Sequence, residues 1–250
     1  MNYLLYAILG IAPSVIWLLF YLHKDVHPEP KKILLLVFLG GALMGPLALL
    51  LQFSALSLLA PQTQWPTLLA SLNQSSFLFL LNILAFAPLS EELLKYLVVR
   101  WQVLKNPCFD EPLDAMIYLI TSALGFAATE NLLNIFLIPN LTLRAALAQA
   151  FARFLSATLL HALASGMLGY FVARSLLNLR RRTAIFFTGL ALAVAFHSFY
   201  NYLAWRFTTD KGFSLLIALL LAGAAGLVGW QFRSLKRWLA VCKICKTAQS

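Results

Sequence analysis

Seven mostly apolar stretches, 3–22, 33–59, 76–99, 113–136, 149–173, 184–206 and 213–232, take up most of the chain and leave room for little else. A run of about 20 such residues crosses the ~30 Å hydrocarbon layer of a bilayer as a helix, where every backbone polar group must be bonded internally. The composition agrees: 61% of the 250 residues are hydrophobic, 11% are charged and the mean hydropathy is +0.82. A soluble domain of this size could not cover that much apolar surface. The expected fold is all-α, a polytopic transmembrane bundle of about seven spans. Residues 1–232 would form a single integral-membrane domain and 233–250 a basic tail. No internal repeat is visible. No basic residue precedes the first apolar run and no small-x-small cleavage pattern follows it, so that run is expected to stay as a span.

Lysine and arginine set the expected orientation. Fourteen of the nineteen fall in the loops after spans one, three and five or in the tail, and three in the other loops. That bias puts the N-terminus outside and the C-terminus in the cytoplasm. The net charge of +10 then reads as loops and a tail resting against anionic lipid, with no call for nucleic acid. The cysteines, Cys108, Cys242 and Cys245, are too few for a disulfide framework, and Cys242-Lys-Ile-Cys245 reads as an incidental reduced pair. Small residues at Gly41 and Gly45, and at Ala222, Gly226 and Gly229, are expected to mark helix contacts.

The informative residues are the polar ones inside the spans: Glu91, Glu92, Lys95, Glu130, His161, His197 and Asn201. Each ionisable group at the bilayer centre costs at least ~2.5–3.5 kcal/mol, so such groups pair, line cavities and carry function. At ~1.5 Å per residue from the basic end of each expected span, Glu91 lies about 12 Å deep, His161 about 18 Å, His197 about 20 Å and Glu130 about 25 Å. Four helices thus bring a carboxylate or imidazole into one band. Glu91 and Glu92 point about 100° apart, so one can pair with Lys95 while the other faces a cavity as acid or base. Pro88 can kink the helix to open that space. His197 and Asn201 are one turn apart, so the amide could orient the imidazole or bind an oxyanion. Because Glu91 lies nearest the basic end, water and substrate are expected to reach it from that side.

Two carboxylates and two histidines in one band suit water activation, with glutamate as base and either a divalent metal or none. Glu130, His161 and His197 are the candidate metal ligands, zinc the candidate ion. His-Glu-x-x-His, Gly-x-Ser-Gly, the aspartyl intramembrane pair and nucleotide fingerprints do not occur. A proton- or cation-coupled transporter and a non-catalytic membrane scaffold are the competing readings.

Glu91-Glu92-x-x-Lys95, Phe126-x-x-x-Glu130, the lone mid-helix His161 and His197-x-x-x-Asn201, in that order on separate helices, resemble the PrsW family of intramembrane proteases. That family stands within a wider group holding the CAAX prenyl endopeptidases and bacteriocin-processing relatives. Pro13, Trp17, Asp25, Glu29-Pro30, Asp114, Tyr118 and Gly169-Tyr170 add to the likeness, which covers about residues 13–203. Glu130 stands where much of the wider group has histidine, as in PrsW itself. The resemblance implies hydrolysis of a membrane-anchored protein in a bacterial cytoplasmic membrane, with an anti-sigma factor in stress signalling as the implied substrate. The catalytic set would be Glu91, Glu92, Glu130, His161, His197 and Asn201, supported by Lys95 and Phe126. Both a metal-dependent and a metal-free glutamate mechanism stay open.

Overall fold

A computed structural model describes residues 3–25, 27–59 and 77–247, with side chains as far as Arg237. Among these the chain is 87% helical with no strand, and seven helices are long and apolar enough to cross a membrane. The spans are α1 (Tyr3–Leu22), α2 (Lys31–Leu59), a third built from α3 (Phe77–Leu81), a π-helical turn (Asn82–Phe86) and α4 (Ala87–Gln102), then α5 (Asp114–Phe136), α6 with α7 (Leu143–Leu155 and Ala157–Leu177), α8 (Arg182–Thr209) and α9 (Phe213–Thr247). The expected tail thus begins as a continuation of the last span. Cys242 and Cys245 lie outside the residues whose side chains are described.

The bundle is organised around α5 and α7, each of which carries more buried residues than any other helix. Both are rich in small residues: Ala115, Ala123, Gly125, Ala127 and Ala128 on α5, Ala162, Ala164, Ser165, Gly166 and Gly169 on α7. In lipid there is little hydrophobic drive to bring helices together, so close approach of small-residue faces and interhelical hydrogen bonds must supply the attraction. The tightest crossing is α2 on α5. A Cβ added at Gly41 would lie 2.0 Å from the Ser122 carbonyl oxygen, and one at Gly125 would lie 1.9 Å from that of Phe38. Both obstacles are backbone and cannot rotate away. Gly125→Val is therefore expected to force α2 off α5, at the upper end of the ~1–3 kcal/mol typical of overpacking or above it, and to deplete the protein from membranes. Immunoblotting and a thermal-unfolding midpoint check this against Gly226→Val, which should be silent.

Gly226 makes that contrast because the expected contact of Ala222, Gly226 and Gly229 is absent among the described residues. Ala222 and Gly226 are exposed, and a Cβ at Gly226 or Gly229 would meet nothing within 4 Å. The same residue spacing is buried on α2 and bare on α9, because neighbours and not spacing decide which small-residue face is covered.

One end of the bundle collects the basic loops, and its polar ties are local. Glu29, just before α2, is buried and accepts a 2.5 Å hydrogen bond from Tyr118 of α5. Asp114 Oδ2 accepts from the backbone N–H groups of Asp110 and Glu111, and His27 Nδ1 lies 2.8 Å from Glu111. Burial pushes the Glu29 carboxyl above its ordinary value of 4.5, opposed by the bonds from Tyr118 and Asp114 and assisted by the charges of Asp25 and Asp110. A carboxyl whose folded value is raised contributes stability that is full below its unfolded value and declines as pH rises through the folded one. Glu29→Gln keeps an acceptor for Tyr118 and removes that titration. It is expected to flatten the thermal-stability profile above pH 4.5 and to leave the variant more stable than the parent at neutral pH.

Candidate active site

The observed spans bring the polar band tighter than the sequence alone suggests. Measured from Gln102, Leu177, Arg182 and Asp114, the depths of Glu91, His161, His197 and Glu130 become about 16, 24, 22 and 24 Å at 1.5 Å per residue. The four side chains and Lys95 form one connected cluster where α4, α5, α7 and α8 meet.

The two consecutive glutamates do different things. Glu92 is fully buried. Its Oε1 accepts from Lys95 Nζ at 2.8 Å and from His197 Nδ1 at 3.0 Å, and its Oε2 accepts from Ser165 Oγ at 2.7 Å. Lys95, also fully buried, donates its second bond to His161 Nδ1 at 2.9 Å and sits 4.5 Å from the centre of the Phe126 ring. Glu92 is thus a structural anion with all its bonds made, and Phe126 closes over the lysine. Glu91 is the opposite case. Its side chain reaches the cavity, and its buried Oε2 has no hydrogen-bond partner. Around that oxygen stand His197 Nε2 at 3.7 Å, Lys95 Nζ at 3.8 Å and His161 Nδ1 at 4.0 Å.

The hydrogen bonds fix the tautomers. His197 donates through Nδ1 to Glu92, so its Nε2 turns a lone pair toward Glu91 Oε2. Two acceptors facing each other across 3.7 Å need a proton donor or a cation between them. The donor chemistry suits a divalent metal: one ligand atom each from Glu91, His161 and His197 lie within 4.8 Å of one another. Each histidine also gives its other nitrogen to a carboxylate, Glu92 for His197 and Glu130 for His161, the support that metal-bound imidazoles usually have. Lys95 competes for His161 Nδ1 and would have to yield it. The expected trio of Glu130, His161 and His197 differs in one member: Glu130 lies on the far nitrogen of His161, 2.7 Å from Nε2, and Glu91 takes the facing position.

Glu130 has a partner that the spacing of motifs did not suggest. Arg153, at the end of α6, places Nη2 3.0 Å from Glu130 Oε2 as an ion pair without hydrogen-bond alignment, and its Nε donates to Asn131. Asn131 in turn donates to Thr158 at the start of α7. The signal for Arg153 was an arginine within an expected span, which demands a counter-charge.

The hydrogen bond of the His197 ring goes to Glu92 and that of Asn201 goes elsewhere. Asn201 Nδ2 donates to the Ile83 carbonyl at 3.0 Å. That bond follows from a break in the third span. Ala87 N–H bonds to Asn82 O in the π turn, freeing the Ile83 carbonyl, and Pro88 has no N–H for Leu84, whose carbonyl accepts from Ser198 Oγ at 2.7 Å. Asn201 and Ser198 therefore brace the turn that shapes the cavity wall.

That cavity holds about 740 Å³ and is lined by Glu91, Glu130, Phe126, Asn82 and Asn201 at its head. It continues past Gln52 and Asn134 to Leu137, Ile138 and Thr208, at the end of the bundle away from the basic loops. Among the described residues the cavity does not reach the basic side, from which access is expected on the depth of Glu91. There Tyr96, Val98, Val99, Leu119 and Ile120 pack into the core, while the π turn leaves room on the other side.

The sequence profile of the PrsW family intramembrane metalloproteases matches residues 29–227. Protease PrsW of Geobacillus kaustophilus is 30% identical over 195 residues, 78% of this chain and 77% of the relative. Protease PrsW of Oceanobacillus iheyensis is 26% identical over 211 residues, 84% of this chain and 85% of the relative. No solved structure matches the chain. A seven-span bundle whose family profile covers the whole carboxylate and histidine cluster belongs, on these matches, to the PrsW family of intramembrane proteases.

Proposed function

We propose that the protein hydrolyses a peptide bond of a membrane-anchored protein at the head of the 740 Å³ cavity, with Glu91 as the general base. The observation that carries this is the unpartnered Oε2 of Glu91, aimed at a histidine lone pair where the cavity ends. Glu91 takes the proton of the attacking water and returns it to the leaving amine. Glu92 and Glu130 hold the two imidazoles in orientation. Lys95 and Arg153 place positive charge beside the space in which the oxyanion develops, and such preset charge lowers the barrier without reorganisation. Asn201 acts through the π turn, so it is a positioning residue.

A divalent ion, zinc by the donor types, would be held by His161, His197 and one carboxylate oxygen of Glu91, which would leave the other Glu91 oxygen to take the proton; the ion would supply a Lewis acid and a more acidic water. Elemental analysis of the purified protein is expected to find one such ion per chain and to find it lost in His197→Ala. An active protein free of metal would leave the water to Glu91 and His197 alone.

With the basic end in the cytoplasm, as the charge bias predicts, and a bacterial membrane like that of the relatives, the cavity would face the outer side. A substrate such as a membrane-anchored anti-sigma factor would present its cleaved segment there. The test compares membrane-protein N-termini in cells carrying the intact protein or an equally abundant Glu91→Gln variant. New termini next to membrane segments only with the intact protein support the reading. Identical termini, with candidate substrates detected in both, reject it.

A further inference from the structure

The third span changes character at its π turn. In α4 eight residues are buried, Glu92 and Lys95 among them, whereas α3 and the π turn bury none. Among the described residues this open-end half is a wall one helix thick. Its Phe79, Asn82 and Ile83 line the catalytic cavity. Beside it, between α2 and α4, runs a separate apolar groove of about 340 Å³, lined by Leu51, Phe86, Leu89 and Leu93. Leu89 and Leu93 are exposed to the surroundings of the bundle, which here are lipid.

Gln52 of α2 lines both spaces. It accepts a hydrogen bond from Asn82 Nδ2 at 3.4 Å, a long bond that ties α2 to the wall. Asn82 Oδ1 is buried without a partner. By contrast, the other side of the turn is fastened to α8 by the 2.7 and 3.0 Å bonds of Ser198 and Asn201. The weak seam is therefore on the α2 side, and the fixed side is α8. A π turn next to a proline is the kind of local irregularity about which a helix bends.

We propose that the substrate's membrane-spanning segment docks in the Leu51–Leu93 groove and passes sideways to Glu91 through the seam that the Gln52–Asn82 bond closes. The occupant follows from the wall residue Gln52 that the groove shares with the cavity and from the activity itself. A polypeptide held in the bilayer can reach a site enclosed by helices only from the side or by leaving the bilayer. The groove is apolar where it meets lipid and has one amide in its lining, Gln52, whose bond to Asn82 leads into the cavity; both amides can bond to the backbone of a segment that unwinds there. This rests on Glu91 as the base.

The test locks the seam. In a chain with Cys108, Cys242 and Cys245 replaced by serine, Gln52→Cys and Asn82→Cys are bridged with a short reducible bis-methanethiosulfonate. The probes are casein, which is soluble and unstructured, and a casein segment fused to a single leucine-alanine membrane span. Relative to the unbridged double-cysteine protein, bridging is expected to slow cleavage of the fusion at least about tenfold more than that of free casein, and to be reversed by reduction. Equal loss for both probes, or none for the fusion, overturns the seam. An unbridged enzyme that cleaves neither probe counts against the catalytic reading instead. The seam is then judged in the Glu91→Gln background by photo-cross-linking from Leu93 or Leu219. A fusion captured from Leu93 and not from Leu219, which is 60% exposed on α9, upholds it, and equal capture overturns it.

Discussion

Exchange of Glu91 for glutamine is expected to abolish hydrolysis and leave the protein folded. General-base catalysis by a positioned carboxylate is worth ~10²–10⁴-fold, so kcat should fall by at least that factor. KM should move little, because the lost interaction is made with the attacking water in the transition state and not with the bound peptide. Stability should hold. Glu91 Oε2 has no hydrogen bond to forfeit, and glutamine has the same shape. The check pairs turnover of a cleavable membrane substrate with abundance and the thermal-unfolding midpoint. A variant that keeps a tenth of its turnover would remove Glu91 from the role of base. Asn201→Ala offers a contrast within the same cavity, since it loosens the Ile83 carbonyl and disturbs substrate placement ahead of chemistry.

Much of this was legible in the chain, for a physical reason. A bilayer demands long apolar runs and penalises buried charge, so spans show as hydropathy and functional residues show as exceptions to it. Every expected span overlaps an observed one, and Glu91, His161, His197 and Glu130 do meet. What stayed hidden depends on neighbours. Consecutive glutamates on α4 necessarily diverge, but which one faces Ser165 and which the cavity is set by how α7 and α5 pack, not by α4. The direction of the cavity turns on a five-residue π turn, and nothing in Asn-Ile-Leu-Ala-Phe distinguishes that turn from regular helix. Pro88 pointed to the free carbonyl of Leu84, though not to Ser198 as its partner. Arg153 was visible as an arginine in a span, while its partner Glu130 belongs to another helix.

Removal of the Glu92 carboxylate is expected to be a folding defect before it is a catalytic one. Glu92→Ala leaves the fully buried Lys95 ammonium without its carboxylate and strips Ser165 and His197 of their acceptor. Breaking a buried pair from one side costs ~3–5 kcal/mol. Against a total stability of ~5–15 kcal/mol, that should deplete the protein from membranes. Lys95→Met alone leaves a buried carboxylate and should be damaging as well. The charge account differs when both go: Glu92→Gln with Lys95→Met removes both charges of the pair, and neutral replacement of a buried pair is often tolerated. The double variant is therefore expected to recover abundance and thermal midpoint toward the parent, with a coupling of up to ~3 kcal/mol in the mutant cycle. It should remain inactive, because His161 has lost the lysine on Nδ1 and His197 its anionic acceptor. Additive losses would mean that Glu92 and Lys95 act separately, and that the ion pair does not hold α4 against α7 and α8.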